Sequence, residues 1–477
     1  MIGDTTTGTI DAANYNTGLG EDVFNTLTTG DSNIAIGHQA MYLNTTGSTN
    51  IAIGHGSLYN NTTADENTAV GYFALLANTT GADNTAVGSL ALDANTTASH
   101  NVAVGRSALS ANTTGSQNVS IGRSSLANNT TAANNTAVGY QALFANTTGD
   151  TNTAVGKDSL KANTTGTNNT ALGTRTLQSN TTALNNVAVG DLALAANTTG
   201  TRHVAVGNQA LDANTTGSHN VAVGYAALTA NTTGIYNIGI GDSALGSNTT
   251  ANSNIGIGQD SLGANTTGAG NTAVGYNTAS SVTTGNTNVA IGHQALVDTT
   301  ATTTGSNNIA IGTNVRAASA TGDNHIIIGH DIDASANSVA IGKSGNKIQN
   351  NFDTNATWTR FSDQNLKTNV ATTDLGLSFI NKLRPVTFNW KDSKDFPDGY
   401  EGKDKAEMDT TTKLYGMLAQ EVKTALDEVG HSGFGGWSKD SGGTESLAQS
   451  MFIYPLINAV KELSAKVEEL ESKLNGE

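Results

Sequence analysis

The stretch Asn135-Thr136-Ala137-Val138-Gly139-Tyr140-Gln141-Ala142-Leu143-Phe144-Ala145-Asn146-Thr147-Thr148-Gly149-Asp150-Thr151 is one unit of a repeat, and the architecture follows from it. A glycine recurs every 17 residues without a slip, from Gly37 through Gly54 and Gly71 to Gly275 and Gly292, sixteen in register. The spacing then loosens, and Gly312, Gly329 and Gly342 carry the pattern onward. Three positions before the glycine every unit has Thr, Val or Ile; one position before it, fifteen of sixteen have Val or Ile, with Leu172 the exception. Ala stands between them, replaced only by Ser120, Gly239 and Gly256. β-Branched residues flanking a small one at period two read as a short strand with one tightly packed face. The glycine permits a sharp corner or a close backbone approach. Leu follows four residues later in fourteen of sixteen units, and Asn-Thr-Thr-Gly then supplies turn chemistry.

Such a unit is too small to fold alone. Stacked as coils of a parallel β-solenoid, the units turn their columns into continuous ladders. The Asn four before each glycine is present in all units but the one with His203, and stacked amides bond along such a ladder. At roughly 4.8 Å per coil, the register gives a rod of about 75–80 Å. Seventeen residues also approach five helical turns, but Asn, Thr, Gly and β-branched residues are poor helix formers.

Composition agrees with a rod rather than a globule. The 477 residues are 13% charged and 5% aromatic, with 54 Gly, 3 Pro and no Cys. A chain so polar and glycine-rich would be disordered without its strict period. The net charge of −16 argues against a nucleic-acid partner. Lack of Cys excludes disulfides and thiolate zinc sites, and no metal or cofactor is expected. Met1 to Thr7 has neither a basic start nor an apolar run, so no secretory signal and no membrane insertion are expected.

The Asn-x-Ala-Val/Ile-Gly run of every unit, ending in Asn337-Ser338-Val339-Ala340-Ile341-Gly342, resembles the head repeat of trimeric autotransporter adhesins. The resemblance covers about residues 31 to 342. It implies a mainly β fold in which three left-handed β-rolls pack side by side. This chain departs from the usual 14-residue unit by three residues in the Asn-Thr-Thr turn, which puts the corner shape in question but not the stack.

Near Phe352 the composition changes. The last 116 residues hold 32 of the 62 charged residues and all three prolines, Pro385, Pro397 and Pro455. Leu383 to Trp390 reads as a turn and a strand, Tyr415 to Val422 as the start of a helix, and Gly430 to Gly443 as a glycine-rich loop. At the end, Ile453, Leu456, Val460, Leu463, Val467, Leu470 and Leu474 alternate spacings of three and four, the seam of a coiled coil over about 451–475. Lys466 and Glu471 flank that seam.

Four segments in order, Ser362 to Val370, Leu383 to Trp390, Tyr415 to Val422 and the final helix, resemble the intramolecular chaperone of phage tail spikes and endosialidases. In that family the Ser and Lys of the first motif form a dyad, and the chain cuts itself before the serine. The resemblance implies Ser362 as nucleophile, Lys367 as base, Phe361–Ser362 as the scissile bond, and a C-terminal α+β unit. A lysine can act as base only where burial lowers its pKa. The implied activity is a single-turnover serine-lysine autoprotease. The bland alternative is an exposed Ser and Lys at a domain boundary.

The expected organisation is an attachment segment (1–30), a β-roll fibre (31–342), a neck (343–361) and the chaperone (362–477). Near-identical coils let one chain slip by a whole unit against its neighbours at the loss of about one coil of contact. A non-repetitive trimeric end removes that degeneracy. The expected function is a phage tail fibre for host attachment: a homotrimer in the virion, made in the host cytoplasm. Its N-terminus would dock on the baseplate or another fibre protein. Its ligand would be a cell-surface glycan or protein. A bacterial surface adhesin and a polysaccharide depolymerase are the alternatives. The first requires a signal and a membrane anchor, and the second convergent carboxylates, whereas the twenty acids of residues 1–361 are scattered.

Ligand contacts along the rod would fall in the variable column just after the glycine. Candidates there are His38, His55, Tyr72, Arg106, Tyr140, Tyr225, Tyr276 and His293, whose aromatics suit sugar rings; a solvated corner free to vary is the competing reading. Fourteen Asn-Thr-Thr triplets are formal glycosylation acceptors and read more simply as turns.

Overall fold

The architecture is that of a computed structural model, which describes residues 13–297, 303–351, 359–360, 364, 367–396, 410–440 and 443–476. The chain divides into two compact units, Met1–Phe361 and Ser362–Glu477.

The first unit is a mainly β, parallel solenoid. Seventeen three-residue strands, from β1 (Thr17–Leu19) to β17 (Val289–Ile291), follow one another at 17-residue intervals. Each pairs in parallel with its equivalent one coil on, so that Thr136, Ala137 and Val138 lie opposite Thr153, Ala154 and Val155. Three looser coils follow, carrying β18 (Ile309–Thr313), β20 (Ile326–His330) and β22 (Ser338–Lys343). Between them β19 (Arg316–Ala317) and β21 (Asp333–Ala334) form a second small parallel pair. Two antiparallel strands, β23 (Asn346–Asn351) and β24 (Thr359–Arg360), finish the main sheet.

Both ends of the stack differ from the sequence expectation. The stack begins before Asp31, because β1 pairs with Ile34–Ile36 and Gly20 continues the glycine register. The described part of the expected attachment segment is therefore a coil. Residues Asn346–Asn351, expected as neck, hydrogen-bond to Ser338–Lys343 as a closing strand.

Within each coil the packed face is the alanine face. Ala69, Ala86, Ala103 and Ala137 are fully buried, as are Leu75, Leu92 and Leu109. The interior is narrow: a Cβ placed on Gly239 or Gly256 would lie 3.2 Å from Leu228 or Leu245 of the preceding coil. Larger residues would not fit this column in the 17-residue coils, and only the looser coils beyond Gly292 admit one, the fully buried Ile327 opposite Ala310. The β-branched neighbours point outward, and Val87, Ile121, Val155 and Ile257 remain 36–39% exposed.

Two buried amide ladders run along the rod. In the column before the strand, Asn33 Oδ1 accepts from the Asn50 backbone N–H at 2.9 Å, and Asn50 Oδ1 from Asn67 N–H at 2.9 Å. The Asn of Asn-Thr-Thr forms the second: Asn61 Nδ2 donates to Asn44 Oδ1 at 2.9 Å, and Asn78 Nδ2 to Asn61 Oδ1 at 3.0 Å. Both converge on one carbonyl per coil, since Asn50 Nδ2 and Asn61 Nδ2 donate to Ala64 O at 2.8 and 3.0 Å. Full burial without these partners would cost about 1–3 kcal/mol per group. Buried and bonded, these asparagines are not glycan acceptors in the folded rod.

Corner geometry explains the glycine. Gly139 has φ 137°, and a Cβ there would come 2.5 Å from Gly156 O. In most of the 17-residue coils three non-glycine residues are also left-handed, as in Glu66 (φ 59°), Phe73 (φ 54°) and Leu75 (φ 51°). Each costs about 1–2 kcal/mol, offset by a bond between coils: Glu66 N–H to Ser48 O, Phe73 N–H to His55 O, and Leu75 N–H to Ala91 O, at 3.0–3.1 Å.

The second unit is small and α+β. It contains α1 (Leu377–Ile380), a hairpin of β25 (Val386–Phe388) and β26 (Leu414–Gly416), and α2 (Ala419–Glu428). A second hairpin of β27 (Trp437–Lys439) and β28 (Glu445–Leu447) precedes the long α3 (Ile453–Asn475). Tyr415 and Gly416, read from sequence as the start of a helix, are strand residues: Tyr415 pairs with Thr387, and the helix starts only at Ala419. Phe379, fully buried, centres the core, with the ring centroids of Phe434 and Phe452 at 5.8 and 6.3 Å.

Candidate functional site

The cleavage motif lies at the junction of the two units. Phe361 and Ser362 fall outside the described residues, so the proposed nucleophile and scissile bond have no geometry here. Lys367 is exposed, and its backbone N–H donates to Gln364 O at 3.1 Å. The described residues thus do not place the two members of the dyad against each other.

Just downstream, the chain is tied to its own C-terminal helix. Glu462 Oε2 of α3 accepts from Leu377 N–H at 2.9 Å, and Asn458 Nδ2 donates to Leu375 O at 3.2 Å. Gly376 lies directly beneath the Glu462 carboxylate, so a Cβ there would push that side chain out of its present position. Arg384 holds Glu421 through two nitrogens, Nε to Oε2 at 3.0 Å and Nη2 to Oε1. That guanidinium pulls the Glu421 carboxyl below its ordinary pKa. Sequence reasoning missed Asn458 and Glu462, which sit off the apolar seam; the only signal was two polar residues four apart on one helical face.

The seam itself stands open. Ile453, Leu456, Val460, Leu463, Val467 and Leu470 are 45–64% exposed, and Leu474 is 86% exposed.

Along the rod, the column after the glycine is an exposed ladder. His38 stacks on His55 at 5.0 Å between centroids, and His55 on Tyr72 at 5.4 Å. Tyr276 stacks on His293 at 5.3 Å. The ring faces of these residues are turned to one another along the axis, which leaves mainly their edges to solvent. Tyr140 lies under the Arg123 guanidinium, 5.9 Å from its centroid. Arg106 is exposed and Tyr225 is 55% exposed. Among the described residues, no three His, Cys, Asp or Glu converge as a metal site, and no helix is long and apolar enough to cross a membrane.

Comparison with known proteins bears on the second unit. Residues 362–431 match the family described as chaperone of endosialidase. The match takes in the first three segments that carry the resemblance and stops before the terminal helix. No curated protein and no solved structure matches the chain. The chain thus carries a chaperone-of-endosialidase domain, which follows a parallel β-solenoid of 17-residue coils.

Proposed function

We propose that the protein is a trimeric, tail-spike-like fibre that attaches a phage to its host, assembled by a C-terminal chaperone that then cuts itself off before Ser362. The observation that carries this reading is the succession of a chaperone-of-endosialidase domain on a repeat whose coils are interchangeable. Two open apolar surfaces support a partner of the same kind. Outward Val and Ile ladders run along the solenoid, and α3 exposes seven seam residues. At about 25 cal/mol per Å2 of apolar area, ladders repeated in every coil make side-by-side association of identical rods favourable. Identical chains in register bury identical columns, and the α3 seam would fix that register once.

In the proposed cut, Ser362 Oγ attacks the Phe361 carbonyl carbon while Lys367 Nζ takes the hydroxyl proton, which requires that Lys367, exposed in the single chain, be buried and neutral in the assembled trimer. The peptide C–N bond breaks, the Ser362 amine leaves protonated, and water hydrolyses the ester. Intact-mass measurement and sedimentation test both halves. Wild type should give three-chain particles and a fragment beginning at Ser362. Ser362→Ala, Lys367→Ala and Lys367→Arg should each stay full length and still trimerise, the last because a guanidinium keeps its proton. Cleavage surviving in Ser362→Ala overturns the dyad, and a stable monomer overturns the fibre.

A further inference from the structure

The rod's charge is not spread evenly. Within a chain of net charge −16, no Lys or Arg precedes Arg106; five cations fall between Arg106 and Arg175, and Arg202 is the sole further one before Arg316. Residues 106–175 contain only two carboxylates, both already engaged: Asp150 accepts from the Ala133 N–H at 2.6 Å, and the buried Asp158 pairs with Lys161 at 3.1 Å. Arg175 pairs with Asp191 at 3.7 Å. Arg106, Arg123 and Lys157 have no carboxylate partner among the described residues, and all three are exposed in the column after the glycine. Tyr140, 40% exposed, completes the stripe under Arg123. From His38 to Thr174 this column holds no carboxylate, whereas Asp191 and Asp242 appear beyond it.

A second feature lies four residues further round the same coils. A shallow depression of about 540 Å3 is lined by Phe144, Lys161, Gln178 and the small residues Ala145, Ala162 and Ser179. It offers an aromatic surface, a cation and an amide.

We propose that the coils of Gly105 to Gly173 bind an anionic polysaccharide, with its carboxylate or sulfate groups on Arg106, Arg123 and Lys157 and a sugar ring against Phe144. This rests on the attachment reading and gives it a ligand class. The stacking of coils presents one side chain about every 4.8 Å, a regular spacing suited to a linear polymer with charges at repeating intervals. Unpaired guanidinium and ammonium groups on an acidic body attract such a chain and repel nothing locally. A nucleic acid is disfavoured because its dense phosphates would meet the acidic coils on either side.

Purified full-length protein tests this by biosensor binding to polygalacturonate, dextran sulfate, uncharged dextran and duplex DNA. The expected result is binding to the two charged glycans, none to dextran, and loss of binding near 0.5 M salt, where the screening length is roughly 4 Å. The triple variant Arg106→Ser, Arg123→Ser, Lys157→Ser should bind about tenfold or more weakly, and Phe144→Ser should weaken binding without changing its salt dependence. Arg202→Ser with Arg316→Ser, outside the stripe, should change it less than about twofold. Equal losses in both sets, or tighter binding of DNA than of either glycan, overturn the proposal. Cell attachment separates the two readings. If wild type and triple variant attach to bacteria equally and bind polymer equally, the stripe falls and attachment stands. If wild type binds polymer but attaches to no cell, the attachment reading falls.

Discussion

The solenoid and the C-terminal unit are stabilised by opposite means. The rod has a core of Ala and Leu only one coil deep, and its specificity lies in repeated hydrogen bonds: two amide ladders, a Thr ladder such as Thr147 Oγ1 to Thr164 O at 3.1 Å, and backbone bonds between coils. The C-terminal unit has fewer residues but gathers a non-repeating core of Leu375, Phe379, Val422, Leu426 and Phe452, with the half-buried Phe434 packed against it, and fixes its ends with single polar contacts. A repeated bond stabilises every register that preserves the period. A unique aromatic cluster stabilises one arrangement. The first builds length and the second defines a reference point.

The sharpest way to break this comparison is to remove the reference point. A chain ending after Lys343 keeps nearly all the rod's bonds and should nevertheless give aggregates or particles of mixed length when expressed, as read by sedimentation and electron microscopy. Uniform rods would show that the repeat sets its own register.

Single substitutions should then separate the two kinds of stability. Phe379→Ala should cost the C-terminal unit about 3–5 kcal/mol, with melting of that unit by near-UV circular dichroism while the solenoid signal persists. Gly139→Ala places a Cβ against Gly156 O and forces a φ of 137° on a side chain. It should cost of the order of 3 kcal/mol. Faster hydrogen exchange should be confined to the coils either side of it, since each coil contacts only its neighbours.

The asparagine ladder has one titratable rung. His203 is 1% exposed; its Nε2–H donates to Gly217 O at 2.7 Å, and its Nδ1 accepts from Asn220 N–H at 3.3 Å. Desolvation holds its pKa down at about 4 from the ordinary 6.5, with a smaller contribution from repulsion by His219. The folded state therefore keeps the ring neutral where the unfolded chain would protonate. The rung contributes fully above pH 6.5 and loses its contribution as pH falls toward 4, a loss of about 3 kcal/mol when complete. His203→Asn restores the ladder and should remove this part of the acid sensitivity in urea unfolding at stepped pH; an unchanged acid profile would place the weakness elsewhere. At the small end, Tyr225→Ser on the exposed corner should alter stability by no more than about 0.5 kcal/mol.

How much of this was legible depends on whether a property belongs to one residue or to a stack. The parallel solenoid, the 17-residue coil and the α+β end ending in a helix follow from the spacing of Gly37 to Gly292 and the change of composition near Phe352, because a strict period leaves one way to bury such short apolar runs. The motif at Ser362 and Lys367 was equally readable as a motif, but a dyad is a distance, and that is not written in spacing. The direction of the strand faces was not readable either: Val and Ile flanking Ala suit an inward or an outward apolar face, and only the Leu corner of the preceding coil, filling the interior, leaves Ala inside. The Asn of Asn-Thr-Thr looked like a turn residue and became the second amide ladder, because its partner lies one coil away. Left-handed Leu75 is the clearest case. Sequence alone determined the period, the strand of each repeat and the change from repeat to ordinary patterning near Phe352. The tertiary structure decided which face is buried and which backbone conformations are held, since a bond to the neighbouring coil outweighs the local preference of the residue that makes it.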